Sequence, residues 1–120
     1  MIKYTEDHEW LRVEGEYVVV GITEHAATQL GDVVFVELPE VETMVAAGDE
    51  VVVIESVKAA SDILAPVDGE IVEVNDLLAT KPGLVNDDPT GAAWFFKMKL
   101  DDMSVLDAFM DEDEYLDLIS

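Results

Sequence analysis

Glu55-Ser56-Val57-Lys58-Ala59 sets one primary amine between two runs of strand-forming residues. Ser56, Val57, Ala59 and Ala60 leave Lys58 with no other charge within two residues on either side. An amine among small neutral neighbours can be clasped and acylated by an enzyme, and a group joined there can swing. The competing reading is a solvated turn lysine, the usual fate of lysine in a hairpin. Asp7-His8-Glu9-Trp10 is the other arrangement with chemical potential, since an imidazole between two carboxylates suggests a metal or acid–base site. Only His8 and His25 are available, with no cysteine and no HExxH spacing, so zinc is poorly supported and Trp10 reads as core. Asn86-Asp87-Asp88 lacks the spacing of a calcium loop and reads as turn chemistry. Asp111-Glu112-Asp113-Glu114 reads as a solvated helix start. No Gly-rich phosphate loop and no Ser/His/Asp set stands out.

The elements that must position Lys58 follow from pattern. Glu50-Val51-Val52-Val53-Ile54 and Ser61-Asp62-Ile63-Leu64-Ala65 flank it as two strands of a hairpin with the lysine near the tip, and Pro66 stops the second. Trp10 to Val13 and Tyr17 to Ile22 form an earlier hairpin about Glu14-Gly15-Glu16. Thr23 caps a short helix from Glu24 to Leu30, with Gly31 just past its end. Asp32 to Leu38, Glu70 to Val74 and Trp94 to Leu100 read as further strands, and residues 76 to 92 as mostly loop. The tail from Ser104 to Ile119 reads as two helical pieces capped by Ser104 and Asp111. Val105, Leu106, Phe109 and Met110 would form one apolar face, and Tyr115, Leu116, Leu118 and Ile119 another. Short strands with frequent turns predict a mostly β fold, a small sandwich or flattened barrel. Gly48-Asp49-Glu50 to Ile54 is echoed by Asp68-Gly69-Glu70 to Val74, which fits two similar halves bracketing the lysine.

A chain of 120 residues predicts one domain over 1–120, with a helical extension at about 104–119. Twenty-eight acids against six bases give a formal net charge of −22, yet half the residues are hydrophobic, so this is no disordered acidic tail. The bases are scattered, which argues against nucleic acid and anionic membranes as partners. The acidity suits either a surface adapted to high salt or a docking face for basic partners, and its spread along the whole chain favours the first. Without cysteine, disulfides and thiolate chemistry are excluded, so any sulfur redox chemistry belongs to a prosthetic group. The opening Met1 to Asp7 lacks the apolar core of a signal peptide, and the expected location is the cytoplasm.

Tyr4-Thr5 with His8-Glu9-Trp10, Val20-Gly21-Ile22-Thr23, Leu30-Gly31-Asp32 and Val34 to Pro39 form an ordered set. Glu55-Ser56-Val57-Lys58-Ala59 with Ser61-Asp62, Pro66 to Glu70, Val72 to Asn75, Leu84-Val85-Asn86 with Asp88-Pro89, and Trp94 continue it. Taken in order, these motifs resemble those of the glycine cleavage H-protein family, lipoyl-bearing carriers. Lys97-Met98-Lys99 echoes the Met-Lys-Met of biotinyl domains only superficially and lies too late in the chain. The resemblance implies a lipoyl/biotinyl-type hybrid barrel-sandwich of two small antiparallel sheets. It implies lipoate in amide linkage on Lys58, with Glu55, Ser56, Val57 and Ala59 as the attachment context. It implies no catalysis by the carrier itself. Its partners would be a pyridoxal-phosphate glycine decarboxylase, a tetrahydrofolate-dependent aminomethyltransferase, dihydrolipoamide dehydrogenase and a lipoate-attaching enzyme. The aminomethyl cargo is a cation, and Glu9 and Asp62 are the carboxylates implied to hold it. A relay of lipoate to another pathway keeps the same lysine and is the alternative; gene neighbours would separate the two.

If the acidity is high-salt adaptation, self-repulsion makes the fold less stable in dilute buffer. Thermal melts followed by circular dichroism should show the melting temperature rising from low to molar salt, and a salt-independent value would contradict that reading.

Overall fold

Alternating and continuous runs of Val, Ile and Leu build nearly all of the regular structure in this computed structural model, which describes residues 2–120. Met1, the first residue of the segment read for a leader, lies outside the described residues. Strands β1 (Ile2–Tyr4), β2 (Glu9–Glu14) and β3 (Tyr17–Ile22) are followed by helix α1 (Glu24–Leu30). Then come β4 (Val33–Glu37), β5 (Thr43–Val45), β6 (Glu50–Ser56), β7 (Ala60–Leu64) and β8 (Gly69–Val74). Short helices α2 (Leu77–Thr80) and α3 (Leu84–Asp87) precede β9 (Phe96–Lys99), a 3₁₀ turn over Met103–Ala108 and α4 (Glu112–Ile119).

All strand pairings are antiparallel. A six-stranded sheet runs β1-β2-β3-β9-β8-β5, and a three-stranded sheet runs β4-β6-β7. Leu11, Val18, Val20, Val36, Val52, Ile54, Ile71, Phe96 and Met98 fill the core they share. Each such side chain contributes about 1.5–3 kcal/mol on burial. The two copies of the sequence echo, β6 and β8, belong to different sheets.

Trp10 shows how tightly the first hairpin is specified. It lies opposite Gly21 in the β2–β3 register, is 2% exposed, and donates from Nε1 to the Pro89 carbonyl at 3.0 Å. A Cβ at position 21 would collide with the indole, so only glycine fits there.

Several expectations need correction. Ile2–Tyr4 and Thr43–Val45 are strands too short to show a period. Residues 76–92, expected to be mostly loop, also hold two single-turn helices, packed down by Leu78 and Val85. Asp102, not Ser104, caps the first tail piece, because Asp102 Oδ1 accepts from the Ser104 amide at 2.9 Å. Asp111 does cap α4, in a reciprocal capping box with Glu114. The expected apolar faces of the tail are narrower than read. Leu106 and Tyr115 are buried, but Val105, Leu116 and Leu118 are exposed. At 3.6 residues per turn Tyr115 and Ile119 share the inward stripe, while Leu116 and Leu118 fall on its two flanks.

Candidate functional site

Lys58 sits at the tip of the β6–β7 hairpin, exposed, with Glu55 paired to Ala60 where the turn begins. Ser56 organises the turn. Its amide donates to the Ala59 carbonyl at 2.9 Å, and its hydroxyl donates to the same oxygen at 3.0 Å. The hydroxyl oxygen also accepts from the Lys58 and Ala59 amides, both at 3.2 Å. One side chain thus serves the whole Val57-Lys58-Ala59 excursion, more than the neutral approach that the sequence suggests for it.

The turn is also anchored from outside. The Val57 amide donates to the Asp32 carbonyl at 3.0 Å. Asn86 braces both neighbours of Asp32, accepting from the Val33 amide at 2.9 Å and donating to the Gly31 carbonyl at 2.6 Å. Gly31 adopts φ +74, and a Cβ there would stand 3.1 Å from Lys58 Cε, so the lysine stem crosses bare backbone. Asn86 does more than local turn chemistry: it reaches more than fifty residues back to the lysine's support. Asp88 does make a local bond, accepting from the Ala92 amide at 2.8 Å. Among the described residues no carboxylate pairs with the Lys58 ammonium.

Past the turn, β7 forms one wall of a groove of about 330 Å³. Ser61, Asp62, Ile63 and Leu64 line it from this strand, Ala26 and Leu30 from α1, Asp7 and His8 from the β1–β2 link, and Glu9 from the start of β2. Asp62 and Glu9 therefore share one hollow, and Lys58 lies outside it at the end of the strand that lines it. The two carboxylates differ sharply in setting. Asp62 is exposed, whereas Glu9 is only 3% exposed.

A tight turn delivers Glu9 to that place. His8 takes φ +67, and the Thr5 and Glu9 backbones close the turn through a 2.9 Å bond. Thr5 Oγ1 accepts from the Asp7 and Glu9 amides and donates to Glu9 Oε1, each at 3.2 Å. Burial pushes the Glu9 carboxyl up from its ordinary 4.5 to about 7, against the Thr5 hydroxyl, with Asp7 adding to the rise and the Leu64 backbone opposing it. A second hollow of about 340 Å³ meets Glu9 from the side of Tyr4, Pro66 and Phe109.

His8 itself is held from outside the groove. Its Nδ1 lies 2.9 Å from the Tyr115 hydroxyl, which is 2.6 Å from Thr23 Oγ1, and Tyr115 stacks on Tyr4 at 4.8 Å. Burial, then the neighbouring His25, lowers the His8 pKa, with Asp7 opposing. The helical tail thus pins the loop that carries Glu9. Nothing in the sequence singles out Tyr115 for this, because its partners lie 92 and 107 positions away.

The family profile described as Glycine cleavage H-protein matches residues 2–120. This chain belongs to that family. A glycine cleavage system H protein of Methylocella silvestris is 58% identical over 114 residues, covering 95% of this chain and 91% of that protein. One from Xanthobacter autotrophicus is 53% identical over 118 residues, covering 98% and 94%. The crystal structure of a glycine cleavage system H protein from Mycobacterium marinum superposes with a TM-score of 0.87 at 38% identity, over 97% of this chain and 94% of that one. The mostly β architecture with two antiparallel sheets and a C-terminal helix is the fold shared with that relative.

Because folding raises the Glu9 pKa, the stability it contributes is present below its unfolded value and lost as pH rises through the folded one. Glu9→Gln, neutral throughout, should therefore gain on the native chain between about pH 4.5 and 7, by up to about 3 kcal/mol. Urea unfolding of both proteins at pH 5 and pH 8 measures the change, and a stability difference that stays constant would contradict the burial of this carboxyl.

Proposed function

We propose that this chain is the lipoyl-bearing shuttle of the glycine cleavage system, with lipoate in amide linkage on Lys58. The observation that supports it most is a single strand, β7, that leads from the braced lysine turn into the groove holding Glu9 and Asp62. The residues present fit the group. The amine is exposed, its turn is fixed from within by Ser56 and from outside by Asp32, and the adjoining groove offers apolar walls and two carboxylates. The lipoyl group supplies the sulfurs that take up the one-carbon amine cargo and the electrons removed afterwards.

This chain's own residues do the rest. Ser56 and Asp32 fix the exposed turn that presents Lys58 to its partners. Leu64, Ile63 and Leu30 present apolar surface that suits an alkyl chain and excludes water. Glu9, buried and readily protonated, gains its charge where a cationic amine lies beside it, and exposed Asp62 adds a second negative charge at the rim. The carrier catalyses no step; by tethering cargo it raises the concentration that each enzyme meets. Its partners are glycine decarboxylase, the aminomethyltransferase, dihydrolipoamide dehydrogenase and the enzyme that attaches lipoate. Residues 1–120 act as one carrier domain in the cytoplasm. No helix among the described residues is long and apolar enough to cross a membrane.

Exchange of labelled bicarbonate into glycine by the decarboxylase tests the assignment. The lipoylated chain should support exchange, and Lys58→Arg should reduce it to the level without carrier. Full exchange by Lys58→Arg would overturn the proposal. Asp62→Asn should leave the lysine loaded but release the carried amine a few-fold faster, consistent with loss of one part-exposed charge contact.

A further inference from the structure

Edge strand β4 breaks its alternation beside the lysine turn. Its pairing with β6 shifts between Val33, opposite Ser56, and Phe35, opposite Glu55. Val34 is the extra residue of that bulge, so two successive apolar side chains face solvent, at 54% and 47% exposure. Exposed apolar residues on an unpaired strand edge carry an aggregation risk, and here they contribute nothing to the core. Val57, 67% exposed, adds a third apolar side chain on the turn, and its amide is tied to the residue preceding β4. Asp32, Glu37 and Glu55, all exposed, surround it with negative charge.

We propose that Val34, Phe35 and Val57 are the docking footprint of the enzyme that acylates Lys58, a partner with an apolar centre and a basic rim. This rests on the reading of Lys58 as the lipoyl site. The choice of partner follows from reach. To form the amide, the neutral Lys58 amine attacks the carbonyl carbon of an activated acyl group such as an acyl adenylate. The carbon–nitrogen bond forms, the bond from carbon to the adenylate oxygen breaks, adenylate leaves with that electron pair, and the amine loses one proton to a base. The enzyme must therefore close over the turn itself, where the patch lies. Enzymes that act on the sulfurs work at the far end of a long flexible arm and can leave the turn untouched. The carboxylate rim selects a cationic partner and keeps other acidic proteins, including further copies of this chain, away.

The test follows attachment by intact mass, using a purified lipoate-adenylating ligase, lipoate, ATP and the unmodified chain. The double variant Val34→Thr with Phe35→Thr places β-branched strand formers at both positions while removing apolar surface. Its KM should rise about tenfold with kcat within about twofold, the size of effect expected for truncating a central apolar anchor. Val57→Thr, outside any strand, should raise KM in the same sense and serves if the strand variants fold poorly. Added salt should raise the wild-type KM. Acylation of Lys58 by preformed lipoyl adenylate without enzyme should proceed equally in wild type and the strand double variant, as should electron exchange of the loaded double variant with dihydrolipoamide dehydrogenase. A wild-type chain left unacylated at Lys58 would sink the lipoyl reading itself. Acylation of wild type with an unchanged KM in both variants, or variants slowed equally without enzyme, would overturn the footprint alone.

Discussion

The bond from the Val57 amide to the Asp32 carbonyl couples the lysine turn to the body of the fold. Without it the turn is a free hairpin tip; with it, Lys58 has a defined starting point. Asn86 fixes the amide and carbonyl on either side of Asp32, and Gly31 alone lets the lysine stem lie against that support. Helix α3 is only one turn long, yet it carries Asn86, and Val85 within it is fully buried. Core packing is thereby transmitted to an exposed amine through three consecutive backbone groups.

Glu9 poses the opposite problem, a carboxyl withdrawn from water in a chain already carrying a net charge of −22. Burial makes ionisation costly near neutral pH, and the neighbouring Asp7 adds to that cost. Thr5 bonds that carboxyl directly, and the positive-φ turn at His8, whose ring meets the Tyr115 hydroxyl, sets the backbone that carries it.

The hairpin about Lys58, the hairpin about Gly15 and the helix after Thr23 were legible because each is local: β-branched runs, a glycine turn and a hydroxyl cap suffice. The ordered motifs gave the family. What stayed hidden depends on distant partners. Asn86 looks like any loop asparagine until Gly31 and Val33 are brought to it, and Tyr115 looks like one more apolar tail residue until Thr23 and His8 meet its hydroxyl. Leu116 and Leu118 misled for the converse reason, since hydrophobic type alone does not say which side of a helix is covered. The placement of Glu9 and Asp62 around one groove came through resemblance, because acids are too abundant here for composition to point at two of them.

The central claim concerns one nitrogen atom. Intact-mass measurement and peptide mapping of the chain produced in a host that makes and attaches lipoate test it most directly. The account predicts one lipoyl increment per chain, located on Lys58, with the other lysines unmodified. A chain that remains unmodified, or that carries the increment on another lysine, would contradict it.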